Sequence, residues 1–188
     1  MIEELIRESE EGLPLIRSAS LSTTQLGPDD VQAAVDYVRQ HQDYTAYHLL
    51  FALLRGAPEA YERLDEGARA RVLASSLQHL KFLNDWGYLD PHGSHDGEAA
   101  VALLELGDQA VGPLEPVLDD GRPAPLFGSE PATLSSMYGY RRKDFAHRYL
   151  LLILGEEPSF DPDPASRDDA ISRLKASLRG PNGSRGQR

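Results

Sequence analysis

The sequence predicts an all-α protein, with roughly seven to nine helices stacked as antiparallel hairpins in a short solenoid. Three observations predict this class. Apolar residues recur at three- and four-residue spacing through most of the chain. Runs that alternate apolar and polar, rich in β-branched residues, are missing; the valines sit inside helical patterns. Helix punctuation is frequent, as in Pro28-Asp29-Asp30, where proline suits a first turn and the acids suit the positive end of the helix dipole.

Taken in order, residues 1–11 read as a short acidic helix using Ile2, Leu5 and Ile6. Residues 12–27, GLPLIRSASLSTTQLG, are rich in Ser, Thr, Gly and Pro and read as a loop or partly ordered arm. A helix opens at Pro28, with Val31, Ala34, Val35 and Val38 on its inner face. The next, carrying Tyr44, Tyr47, His48, Phe51 and Leu54 among further leucines, is apolar nearly all round. Such a helix belongs at the centre of the fold. Gly56 ends it, and Pro58 to Leu64 adds a helical turn. Residues 66–84 form a long helix through Ala68, Val72, Leu73, Leu77, Leu80 and Leu83. Trp86 and Tyr88 anchor the loop NDWGYLDPHGSHDGE.

Residues 97–118, GEAAVALLELGDQAVGPLEPVL, form the pair around which the rest is arranged. Ala99, Ala100, Leu103, Leu104 and Leu106 make a first helix, with Asp96 as a candidate N-cap and Gly107 at its end. Asp108 then caps a second helix carrying Val111, Leu114, Val117 and Leu118, which Pro116 should bend or shorten. So short a connection requires antiparallel packing. After this pair, residues 121–128 are extended and Pro-rich, and Ser129 to Met137 forms a short helix ended by Gly139. Residues 141–154 form another, with Phe145, Ala146, Tyr149 and Leu150 inward, and residues 165–179 an amphipathic last one. The domain reading is an acidic segment and loop over 1–27, one helical domain over 28–179 and a basic, Gly-rich tail over 180–188 that is too polar to pack.

The run AAVALLELGDQAVGPLEPVLDD resembles a HEAT repeat: alanines and leucines on a first helix, Leu-Gly, an Ala-Val-Pro-Leu second helix, then Leu-Asp-Asp. The following unit of such repeats opens with an arginine, and the matching piece here is YRRKDFAHRYLLLILG at 140–155. The resemblance is strongest over 97–155 and implies a HEAT-like α-solenoid. The stretch 121–139 departs from the pattern as an insertion. HEAT-type iron hydroxylases carry His-Glu dyads, and this sequence has no His-Glu dipeptide.

Composition narrows the function. A net charge of −11 disfavours binding to a nucleic-acid backbone, which needs dense Lys and Arg. With no cysteine there is no disulfide, thiolate metal site or cysteine nucleophile, in keeping with a cytoplasmic protein. The acidic N-terminus lacks the apolar stretch of a secretory signal, and LLLILG at 150–155 is too short to span a bilayer. No Gly-rich phosphate loop occurs, and the pairs Ser75-Ser76 and Ser135-Ser136 lie in no nucleophile motif. No cofactor is expected.

Two constellations remain. Asp90, His92, His95 and Asp96 share one loop and include two imidazoles, but their spacing fits a solvated turn with Asp96 as a cap better than a metal site. Tyr138, Tyr140, Arg141, Arg142, Lys143, Asp144 and His147 place three cations beside two tyrosines, a set able to clamp a carboxylate or phosphate. The structural alternative implied by the HEAT resemblance pairs Asp119 or Asp120 with Arg141 or Arg142 and leaves the other arginine free. Residues Tyr138, Tyr140, Arg141, Arg142, Asp144 and His147 are therefore the candidate ligand-binding set. The leading functional expectation is a non-enzymatic protein-binding or regulatory module whose acidic concave face takes a partner protein or peptide, a basic one by charge. The alternative is a small enzyme holding an anionic substrate under the 121–139 insertion. A DNA-binding HEAT-like repair protein is disfavoured by the charge.

Overall fold

The computed structural model describes residues 1–13, 15–23, 25–84, 97–124, 126–158 and 160–180. Among the described residues there are eleven α-helices and no strand. They are α1 (Ile2–Glu10), α2 (Ala19–Thr23), α3 (Pro28–Gln40), α4 (Tyr47–Gly56), α5 (Pro58–Glu62) and α6 (Glu66–His79). Then follow α7 (Glu98–Glu105), α8 (Asp108–Leu114), α9 (Ser129–Tyr138), α10 (Arg142–Ile153) and α11 (Pro164–Arg179). The all-α class holds. The helix count exceeds seven to nine because α2 forms within the stretch expected to be loop and α5, expected as a single turn, stands as a helix of its own; each spans five residues.

α4 is the most deeply buried helix: every residue from Tyr47 to Leu53 is buried. It packs on α1, α3, α5 and α6. α6 in turn meets α7, α8 and α10, so it stands at the crossing of the two halves of the chain. α8 lies along α6, α10 lies on α6, α8 and the 3₁₀ turn Glu115–Asp119, and α11 covers α10 and that turn. Leu103, Leu114, Phe145 and Leu150 are fully buried in one cluster. Burying such a side chain contributes about 1.5–3 kcal/mol.

Within the stretch expected to be loop, Leu15–Arg17 forms a 3₁₀ turn and Ala19–Thr23 forms α2. The Leu21 N–H donates to Ser18 Oγ at 2.9 Å, which caps α2. The Ser20 hydroxyl donates to the Glu8 carboxylate at 3.0 Å, and the Ser18 hydroxyl donates to its other oxygen. Leu15 and Leu21 join the common core with Leu5 of α1. Here a few hydroxyl–carboxylate contacts outweigh the turn-forming tendency of the residues.

α6 begins as expected: the Ala68 N–H donates to Asp65 Oδ1 at 2.8 Å. It ends at His79 rather than near residue 84, because Leu80 turns extended with ψ 147°. The freed carbonyls of this end are taken up by Arg142, described below.

Gly107 (φ +51°) turns the chain between α7 and α8 in a backbone region closed to most side chains. Gly107 itself, not Asp108, occupies the N-cap, and Asp108 sits in the first turn where the dipole favours its charge. Regular helix stops at Leu114 and tightens into the 3₁₀ turn, the shortening that Pro116 imposes. The chain then runs extended beside residues 140–142. The Ala124 N–H donates to the Tyr140 carbonyl at 2.9 Å and the Arg142 N–H to the Arg122 carbonyl at 3.0 Å. α9 follows and ends at Gly139 in the left-handed region (φ +59°). Among the described residues no helix is long and apolar enough to cross a membrane.

Candidate functional site

The extended pairing of 122–124 with 140–142 sets the start of α10, and α10 carries most of the candidate residues. Asp144 occupies its third position. Its carboxylate accepts from the Arg141 backbone N–H at 2.8 Å, which fixes the helix entry. The same carboxylate accepts from the Arg141 guanidinium at 3.0 Å and 3.2 Å. Arg141 reaches further, to Asp168 of α11 at 3.0 Å, and Lys143 Nζ lies 2.7 Å from the same carboxylate. These two cations hold the Asp168 carboxyl below its usual range.

A second arginine completes the group from α11. Arg167 is only 4% exposed. Its Nε lies 3.2 Å from Asp144 Oδ2. Its two terminal nitrogens donate to the Tyr138 carbonyl at 2.8 Å and the Asp161 carbonyl at 2.6 Å, with the Gly139 and Pro162 carbonyls beside them. Its guanidinium also stands over the Tyr140 ring, 5.2 Å from the centroid. Tyr140 is buried, edge-on to Phe160 with centroids 5.0 Å apart, and Tyr138 leans on it at 5.8 Å. One arginine thus joins the end of α9, the loop before α11 and the start of α10.

Arg142 points elsewhere. Its guanidinium donates to the carbonyls of Leu77 and Leu80 (2.6 Å for Leu80), so it caps the C-terminal end of α6. Burial lowers its pKa, and Arg122 nearby adds to the effect. The HEAT-type pairing of Asp119 or Asp120 with these arginines is not made. Asp119 pairs with Lys175, and Asp120 accepts from Arg122 at 2.6 Å and 2.8 Å. Neither Arg141 nor Arg142 is free.

The structure therefore brings Tyr138, Tyr140, Arg141 and Asp144 together, sends Arg142 to α6 and sets His147 in a cleft that Arg167 also lines. Sequence reasoning missed Arg167, Asp168 and Phe160. The residue types give no signal for them: a charged pair at the start of a helix reads as solvated until the chain is folded.

Comparison with protein-family models, with curated proteins and with solved structures finds no match to this chain.

Besides a wide cleft of about 510 Å³ lined by Lys81, Phe82, Arg122, Pro123 and Arg142, two regions can accept something from outside. The first is a cleft of about 380 Å³ between the 123–126 segment and α9, lined by Pro123, Leu126, Ala132, Ser136, Tyr140 and Arg141. Next in sequence to its walls are Phe127 and Met137, large apolar side chains 46% and 62% exposed. The second is a groove between α10 and α11. It consists of two adjoining clefts, each of about 330–360 Å³, that share His147, Ala170 and Arg173. His147 is 6% exposed, and burial lowers its pKa; Asp144 and Glu156 act against that and Arg173 with it.

Other polar side chains of the helices have local partners. His48 is fully buried, and its Nδ1 lies 2.9 Å from Ser9 Oγ, which in turn accepts from the His48 N–H at 3.0 Å. Burial lowers its pKa to about 4. His79 stacks on Tyr44 with centroids 4.0 Å apart. Ser76 and Ser135 donate to the carbonyls of Val72 and Ala124 at 2.8 Å and 2.9 Å. The loop with Asp90, His92, His95 and Asp96 lies outside the described residues.

Proposed function

We propose that the chain is a non-enzymatic binding module that docks a short segment of a partner protein in the cleft framed by 123–126 and α9. The observation that carries this reading is the largely apolar lining of the cleft, with the exposed Phe127 and Met137 next in sequence to its walls. Exposed apolar groups clustered at a concavity are the usual mark of a docking surface. The geometry favours this over an enzyme acting on an anion, because the cations of 141–143 already face carboxylates or helix carbonyls. The chain's charge of −11 favours a segment with basic residues flanking an apolar anchor.

The HEAT-like stacking belongs to the same proposal. Its support is that the alternate helices α6, α8 and α10 pack on one another, as one layer of stacked hairpins does. α10 reaches both α6 and α8, a tighter course than a straight stack requires.

Peptides displayed at random and selected on the full chain test the reading. The expected winners carry an apolar anchor with Lys or Arg on either side. They should lose about tenfold or more in affinity for Met137→Asp, a change of at least about 1.4 kcal/mol, with the melting temperature unaltered. Absence of enrichment, or equal binding to Met137→Asp, would count against it.

A further inference from the structure

α9 is held to the molecule differently from its neighbours. Of its ten residues only Ser135 is buried, whereas α10 buries eight of twelve. No other helix packs broadly on α9 among the described residues. Burial is what keeps a short helix in place, so α9 sits at the weakly held end of the fold.

The chain on either side of α9 is pinned. Before it, the Asn84 side chain bonds the Phe127 backbone twice: its Nδ2 donates to the carbonyl and its Oδ1 accepts from the N–H, each at 2.8 Å. The Phe127 ring meets Phe82 edge-on with centroids 5.8 Å apart, and the Arg17 guanidinium lies over it at 4.9 Å. After it, Arg167 holds the Tyr138 and Gly139 carbonyls, and the Tyr138 ring leans on Tyr140. Each pinned point carries a glycine at positive φ, Gly128 (+102°) and Gly139 (+59°). Glycine absorbs large backbone rotations without steric cost, which is what a hinge requires.

Between these points, the Ser135 hydroxyl ties the helix down by donating to the Ala124 carbonyl at 2.9 Å. Leu126 and Tyr140, both buried, line one cleft with Ala132, Ser135 and Ser136 of α9, and Ala124 is buried beside them.

We propose that α9 is a flap that lifts at Gly128 and Gly139 and gates the cleft. Closed, it keeps Ala124, Leu126 and Tyr140 from water. Open, it gives up the Ser135–Ala124 hydrogen bond and presents those residues as a wider apolar floor, while Asn84 and Arg167 keep both hinge points on the body of the fold. The gating role rests on the docking reading above; the motion itself does not.

The test uses introduced thiols, each of which is unique because the chain has no cysteine. Ser135→Cys places one on α9, Ala124→Cys one beneath it, and Ser76→Cys one inside α6; all three positions are buried. Ala124 lends only its backbone carbonyl to the tie, so Ala124→Cys keeps that bond and serves also if Ser135→Cys fails to fold. Each folded variant is labelled with an aromatic disulfide reagent in native buffer and in low urea. The Ser135→Cys and Ala124→Cys thiols should react at similar rates, about a hundredfold or more faster than the Ser76→Cys thiol, and with little dependence on urea, since local opening exposes little surface. Labelling of both as slow and as urea-dependent as that of Ser76→Cys would overturn the proposal, and so would fast labelling of Ser135→Cys alone. No partner enters the test, so its failure leaves the docking reading to its own peptide selection.

Discussion

The two ends of the molecule are held together by different physics. Around α4 the interior is mostly apolar: every position from Tyr47 to Leu53 is buried, in one core with leucines of α1 and α6. Polar groups that intrude are bonded locally: Ser9 to His48, and Glu8 to the hydroxyls of Ser18 and Ser20. Around α10 and α11 the interior holds Asp144, Arg167 and Arg142, with Arg141 close behind. Apolar packing is non-directional and yields gradually to substitution. A buried charge network does not, because removal of one member strands the others in a place where solvent cannot reach them. The same network sets the ends of α9 and the loop before α11, and so frames both candidate sites.

The largest effect is expected at the charged end. Asp144→Ala leaves Arg141 and Arg167 without their shared carboxylate and should cost about 3–5 kcal/mol. Asp144→Asn, nearly the same in shape, should cost most of that, since shape is not what is lost. Urea unfolding of both variants provides the check, and a mild loss for Asn would break the contrast.

The apolar end should behave in the opposite way. Leu50→Ala should cost about 2–5 kcal/mol, whereas Leu50→Met, which conserves volume, should cost less than about 1.5 kcal/mol. Equal losses for the two would show that this core is as specific as the charged one.

A third effect is a dependence on pH. The folded pKa of His48, about 4, lies below the ordinary histidine value. The unfolded chain therefore takes a proton that the native chain refuses, so stability is full above the unfolded value and falls as pH drops through about 6.5 toward 4. The loss by pH 5 should be about 2 kcal/mol. His147, lowered in the same direction, adds to it. Unfolding at pH 7 and pH 5 should show the loss, and His48→Gln should remove the larger part of the difference.

The smallest effect concerns the N-terminal segment. Ser18→Ala removes the cap of α2 and one of the hydroxyls on Glu8, at a cost of about 1 kcal/mol. Proteolysis at residues 12–27 should speed up in the variant.

The same contrast explains what could be read from the sequence. α3, α10 and α11 were legible because each carries an apolar stripe, and α4 because it is apolar nearly all round; both patterns survive in one dimension. The turns at Gly107 and Gly139 were legible from residue type. The segment around Ser18 was not, because its order depends on Glu8, ten residues away. The charged stretch 138–147 stands out in the sequence, but the partners of its members do not. Arg142 finds its acceptors more than sixty residues away in sequence, at the end of α6, and Arg141 finds half of its partners on α11. Charge in a sequence does not say whether it will face water, a ligand or another charge. That is settled by which helix ends meet.

The central claim is that the arginines opening α10 serve the fold, each with its own set of partners. Unfolding free energies of Arg141→Ala and Arg142→Ala, measured separately, test it most directly. Arg142→Ala exposes the end of α6 and should cost about 2–3 kcal/mol. Arg141→Ala should cost less, because Arg167 still faces Asp144 and Lys143 still faces Asp168, but it should remain clearly below wild type. A variant of either kind that keeps wild-type stability would contradict the account, for it would mean that one arginine is free after all.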